Sequence, residues 1–117
     1  MGPAAPRRLR TTPAMRRLVA QTRLHPAELV LPVFVRDGIE EPQPISSMPG
    51  VLQHTPDSLV AAAREAVDLG VGGIMVFGVP RDEDKDATGS CGTAPEGVLN
   101  AALRRLRDEL GDATVLM

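Results

Sequence analysis

The 117-residue sequence has no tryptophan and no tyrosine, and Phe34 and Phe77 are its only aromatic side chains. Recognition of single-stranded nucleic acid by base stacking needs exposed rings, so that class of function has almost nothing to work with. A single cysteine, Cys91, excludes an internal disulfide and fits an intracellular, cytoplasmic setting. No apolar run approaches the ~18 residues of a membrane span. The opening Met-Gly-Pro-Ala-Ala-Pro-Arg-Arg lacks the apolar centre of a secretory signal. A net charge of −2 gives no global field toward nucleic acid or membrane, and neither is expected as a partner. Lysine occurs once, as Lys85, which bears on any chemistry that needs an amine nucleophile.

What is present is an alternation of strand and helix signals. Residues 1–28 read as an arm: Pro3 and Pro6 oppose regular structure, and six arginines precede the first acid, Glu28. Thr12-Pro13 is an N-cap and first helical residue for a short helix with Met15, Leu18 and Val19 on one edge, ended by His25-Pro26. The arm either docks on a neighbouring subunit or is a disordered basic tail. Leu29–Val35 predicts a first buried strand, in which Pro32 removes one ladder donor, and Arg36-Asp37-Gly38 a tight turn. Pro49-Gly50 has type II turn chemistry, and the stretch around it has room for a short hairpin.

Thr55, Pro56 and Asp57 open a helix whose apolar face is Leu59, Ala63, Ala66 and Val67, with Gly70 as its stop. Ile74 to Phe77 are continuously apolar, as in a strand buried on both faces of a parallel sheet. A charged loop, Arg81 to Asp86, follows at the carboxyl end of that strand, where parallel α/β folds build sites. Thr93, Ala94 and Pro95 open a second helix with Leu99, Leu103, Leu106 and Leu110 as its buried stripe and Gly111 as its stop. Thr114-Val115-Leu116-Met117 is a β-prone run with neither turn nor cap after it, so the chain is expected to stop in or just after a third strand. The order β, α, β, α, β predicts parallel pairing by right-handed crossovers.

Three stretches carry a family resemblance. Leu31-Pro32-Val33-Phe34-Val35, then Ile45-Ser46-Ser47-Met48-Pro49-Gly50-Val51, then Phe77-Gly78-Val79-Pro80 with Lys85-Asp86 and Gly89-Ser90 occur in matching order and spacing. They resemble the delta-aminolevulinic acid dehydratase (porphobilinogen synthase) family, from about Arg7 to Met117. The resemblance implies the amino-terminal part of a (β/α)8 TIM barrel, with about three parallel strands and two helices in residues 29–117 and an extended arm in residues 1–28. It covers about a third of a complete family member.

The implied activity is that of a lyase of tetrapyrrole (haem) biosynthesis, which condenses two 5-aminolevulinate molecules to porphobilinogen with loss of water. The family forms large homo-oligomers in which such an arm embraces a neighbour. It uses zinc and/or magnesium, which leaves this chain's own cofactor unknown. The resemblance places the two Schiff-base lysines, the metal ligands and the substrate-carboxylate binders past Met117. No catalytic, cofactor-binding or metal residue is therefore assigned within the chain, which is expected to be inactive alone. The alternative is a non-catalytic piece that acts only in oligomer interaction.

The residues themselves agree with that assignment. An imine-forming lysine needs a lowered pKa, whereas Asp82, Glu83, Asp84 and Asp86 surround Lys85 and favour a salt-bridging, protonated amine. Those four acids could hold a hard cation but match no calcium-loop spacing, and a solvated charged loop is the simpler reading. Cys91, without a second Cys or a nearby His, is not a zinc site. His25 and His54 adjoin a turn and a cap and lack a nucleophile beside them. Gly70, Gly72 and Gly73 precede a strand and so do not form a phosphate cradle. Gly89-Ser90-Cys91-Gly92 precedes a helix and could bind an anion, although it lacks the Lys-Ser/Thr ending.

Overall fold

The computed structural model describes residues 7–117; Pro3 and Pro6 lie outside them. Within the arm stretch, a 3-10 turn at Arg8–Arg10 leads to helix α1, Pro13–Leu18. Thr12 caps α1 by accepting from the Met15 N–H at 3.1 Å, and Pro13 occupies its first turn, where a missing N–H costs nothing. His25 does not end this helix. It caps a separate 3-10 turn, Pro26–Glu28, its Nδ1 accepting from the Ala27 N–H at 3.1 Å while Glu28 reaches back to the His25 N–H. No residue from 7 to 32 is buried.

The sheet is built on β1, Val30–Arg36, and β4, Gly73–Val79, paired in parallel over seven residues from Val30↔Gly73 to Arg36↔Val79. Between them in sequence comes a short antiparallel pair, β2 (Gln43–Pro44) with β3 (Leu52–His54), which lies on the side of β1 away from β4. Its turn is closed by the Val51 N–H on the Met48 carbonyl, with Gly50 at φ 81°, the type II geometry that Pro49-Gly50 encodes. β3 also joins β1 in parallel at Phe34 and Val35 only. Pro32 is therefore accommodated where β1 has a strand partner on one side alone. β5, Val115–Leu116, adds to the far side of β4 in parallel, giving the order β2-β3-β1-β4-β5.

Helix α2, Pro56–Asp68, makes the crossover from β3 to β4. Thr55 and Ser58 cap it reciprocally, each side chain accepting from the other's backbone N–H. Its end is a Schellman motif: Gly70, at φ 84°, donates to Val67 O and Val71 donates to Ala66 O. Ser90–Thr93 forms a separate single turn, α3, and Ala94–Gly97 closes a hydrogen-bonded turn after it. Only then does helix α4, Val98–Leu110, begin, three residues after the expected Pro95, and make the next crossover, to β5.

The core is the sandwich of one sheet face with α2 and α4. Val33, Val35, Ile74 and Val76 meet Leu59, Val60, Ala63, Ala66, Ala102 and Leu106. The helix stripes fall as their spacing predicts, with two changes. Val60 is buried and Val67 only half-buried, because α2 is wedged against both the sheet and α4. In α4, Leu106 is fully enclosed, whereas Leu99, Leu103 and Leu110 are partly covered. The strand β4 lets α4 come close at one point, where a Cβ on Gly78 would lie 2.7 Å from the Leu99 Cβ and 3.1 Å from its backbone nitrogen.

Gly78→Ala is therefore expected to cost ~1–3 kcal/mol by pushing α4 off the sheet. Gly92→Ala, with nothing within 4 Å of the added carbon, is expected to be neutral or slightly stabilising. Chemical denaturation of the two variants checks the contrast. The opposite sheet face leaves Val30 46%, Met75 38%, Phe77 45%, Val115 60% and Met117 44% exposed. Such a contiguous apolar face predicts self-association of the isolated chain, and a monodisperse monomer in sedimentation with a sharp thermal transition would contradict it.

Candidate functional site

The carboxyl ends of β1 and β4 carry the chemistry-bearing side chains. Past its last rung the β1–β4 ladder gains one more bond, from the Asp37 N–H to the Val79 carbonyl at 3.0 Å. The chain then turns at Gly38, whose φ of 76° suits glycine. Arg81 lies over this turn and pairs with Asp37 at 3.5 Å. A Cβ on Gly38 would meet the Arg81 Nε at 2.9 Å, so the turn is closed over by the side chain that neutralises it.

The loop after β4 is held by its own polar groups. Asp82–Asp84 makes a 3-10 turn, and Lys85 Nζ returns to Asp82 at 2.6 Å. That hydrogen bond, then the lysine's charge, holds the Asp82 carboxyl below its ordinary value. Lys85 is thus the ion-paired surface lysine that its acidic neighbours suggest. The Cys91 thiol donates to the Asp84 carbonyl, and Asn100 Nδ2 donates to the Ala94 carbonyl at 2.8 Å, fastening the loop to α4.

Asp86 is the hub of the segment. Its carboxylate accepts from the Thr88 N–H and hydroxyl, each at 3.1 Å, from the Ser90 N–H at 3.0 Å, and from the Ser90 hydroxyl. Bonds from Ser90, then from Thr88, lower its pKa to about 2. The Gly89-Ser90-Cys91-Gly92 stretch, a candidate for anion binding, thus already faces an anion of the chain itself. Among the described residues no three His, Cys, Asp or Glu side chains come together as a metal-binding group.

His54 lies on the helix side of the sheet. Its Nδ1 is 3.0 Å from the Ser58 hydroxyl, and burial holds its pKa below the ordinary value. It borders an apolar groove of ≈370 Å³ with Leu31, Val33, Val51, Ala66 and Leu69, on the flank of β1 that β3 leaves unpaired. His25 and His54 therefore do not meet, and each serves a turn or a cap. Gly72 packs its Cα against the Pro26–Glu28 turn, where a Cβ would lie 2.0 Å from the Ala27 carbonyl oxygen. Gly72 thus lets backbone pass backbone, while Gly70 serves as the helix stop.

The sequence motifs do not point to the other sheet face at the same end. Phe34 and Phe77 stack there with ring centroids 5.4 Å apart and planes 26° apart. Beyond them Arg36 Nη1 donates to Gln53 Oε1 at 3.0 Å. The signal that could have found this face is the period of two, since residues 30, 32, 34 and 36 lie on one side of the strand.

A parallel sheet covered by crossover helices on one face, with its polar loops at the carboxyl strand ends, is the architecture of an α/β barrel segment. The model of the family described as delta-aminolevulinic acid dehydratase matches residues 4–117. The delta-aminolevulinic acid dehydratase of Mycobacterium leprae is 71% identical over 112 residues, covering 96% of this chain and 34% of that protein. The Streptomyces coelicolor enzyme is 62% identical over 114 residues, covering 97% of this chain and 34% of that protein. In the crystal structure of the Toxoplasma gondii enzyme with its reaction product porphobilinogen, the match has a TM-score of 0.87 at 32% identity, over 97% of this chain and 32% of that chain. The chain belongs to the delta-aminolevulinic acid dehydratase family, and its fold is the amino-terminal part of a (β/α)8 barrel. It spans about a third of the length of the relatives it matches.

Because Asp86 has a depressed pKa, its stabilisation of the loop is fully present above the ordinary value of 3.8 and is lost as pH falls through about 2. The protection of the Thr88 and Ser90 amides, taken relative to the intrinsic acid-catalysed exchange of an unstructured chain, is therefore expected to be full above pH 3.8 and to fall as pH drops toward and through about 2. Asp86→Asn should leave that relative protection with little dependence on pH over the same range.

Proposed function

We propose that this chain supplies the opening strands of a porphobilinogen synthase, the lyase that condenses two 5-aminolevulinate molecules with loss of water. The observation that carries the reading is the 71% identity maintained over 96% of the chain. In this reading residues 29–117 form the first part of the barrel and residues 1–28 an arm that binds a neighbouring subunit. Leu9, Leu18 and Leu24, 55%, 72% and 86% exposed among the arginines, support a docking role for the arm. Catalytic lysines and metal ligands are assigned to the rest of the enzyme. Lys85 is paired with Asp82 in an exposed loop, and an amine so placed is poorly suited to imine formation. We place the enzyme in the cytoplasm; among the described residues no helix is long and apolar enough to cross a membrane.

A second reading, a non-catalytic piece that binds an intact subunit, draws on the exposed apolar sheet face. The two separate in one experiment. This chain is joined to the remaining two-thirds of the M. leprae relative, and porphobilinogen formation from 5-aminolevulinate is measured. Turnover by the joined protein and none by the isolated chain is the expected result. An inactive but folded joined protein would favour the binding piece. Lys85→Ala in the joined protein is expected to keep near-normal turnover; a loss of ~10³-fold, ~4 kcal/mol of barrier, would move chemistry into this loop.

A further inference from the structure

We propose that Arg36 binds the carboxylate of the substrate, as a contact additional to those assigned to the rest of the enzyme; the inference rests on the porphobilinogen synthase reading. Arg36 is the last residue of β1 and stands opposite Val79. It shares with Phe34 the sheet face turned away from α2 and α4. In a closed barrel that face is the interior, and the carboxyl strand ends are its functional mouth. The guanidinium thus lies at the mouth, just beyond the Phe34–Phe77 stack.

Its electrostatic setting is unusual for a half-buried arginine. None of the ion pairs among the described residues includes Arg36. It borders a cleft of ≈350 Å³ with Asp37, Arg81, Asp82 and Glu83. Asp37 is engaged by Arg81 and Asp82 chiefly by Lys85, with the Arg36 charge acting on Asp82 more weakly and outside ion-pair distance, which leaves Glu83 as the acid of that cleft without an ion-pair partner. The side-chain acceptor Arg36 does have is neutral, the Gln53 amide oxygen. Gln53 stands opposite Phe34 in the β1–β3 register, so it holds the guanidinium over the same face without neutralising it. One N–H is used, and the remaining donors can receive a carboxylate in a charge-assisted, fork-shaped contact.

Below the charge, the two phenyl rings offer an apolar surface to an aliphatic stem. The ligand class is a short carboxylic acid with a methylene chain, and 5-aminolevulinate is one. No bond to the ligand is made or broken by Arg36; its role is to bind and orient.

The joined protein described above gives the test, with Arg36→Met and Arg36→Lys compared with the native residue. A lost charge-assisted contact is expected to raise KM for 5-aminolevulinate roughly tenfold in Arg36→Met, with kcat within a few-fold. Arg36→Lys should recover most of the loss. Inhibition by levulinate, which keeps the carboxylate and lacks the amine, should weaken in parallel with KM. If Arg36→Met does not fold, Arg36→Gln carries the same expectations, with folding checked by circular dichroism. Unchanged KM and unchanged levulinate inhibition in a folded, active variant would overturn the role of Arg36 and leave the enzyme reading intact. A joined protein that keeps Arg36, folds and makes no porphobilinogen would overturn the enzyme reading itself, and the proposal with it.

Discussion

β1 and β4 run side by side in the same direction for seven residues, and two parallel strands cannot be joined by a tight turn. The chain must leave the carboxyl end of β1, return outside the sheet and enter β4 from the other end. Every intervening feature serves that path. The β2–β3 pair carries the backbone sideways, the Thr55–Ser58 box starts the return helix, and Gly70 turns the chain out of it. Because both strands then end at the same edge, Asp37, Arg81 and the loop after β4 are brought together although far apart in sequence. The site's location is thus a consequence of strand direction.

Helix packing follows from the same constraint. A crossover helix must lie across the strands it connects, and α2 and α4 share one face of the sheet. They are tied to each other at the surface by Arg64 with Glu109 and Arg105 with Asp57. These exposed pairs contribute little individually; the burial of Leu59, Ile74 and Leu106 stabilises the packing more. Gly78 sets how near α4 can come, since its missing side chain is the space that Leu99 uses.

Much of this is legible in the residues because local and tertiary preferences agree there. β4 is bounded by glycine and proline, α2 by a capping threonine and a stop glycine, and the leucine spacing marks the face of α4. The start of α4 is not legible. Pro95 is a good first helical residue, but the Ala94–Gly97 turn takes precedence, and Gly97 must pass a carbonyl of Cys91 that a Cβ would strike at 2.3 Å. His25 reads as a helix end because Pro follows it; the same pair equally starts a turn, and only the position of Glu28 decides. The polar role of Asp86 cannot be read from a cluster of four acids, since hydrogen bonds from Thr88 and Ser90 single it out. Arg36 is hidden in the sequence because Arg36-Asp37-Gly38 reads as a turn, whereas its face is fixed by the strand before it.

The Phe34–Phe77 stack has a consequence beyond packing. These rings are the whole aromatic complement of the chain. With no indole or phenol present, the 117-residue chain is nearly transparent at 280 nm, and its weak phenylalanine bands arise from one spot on the uncovered sheet face. Fine structure in that part of the near-ultraviolet dichroism of the isolated chain would therefore act as a built-in optical reporter of whatever comes to rest against the uncovered sheet face.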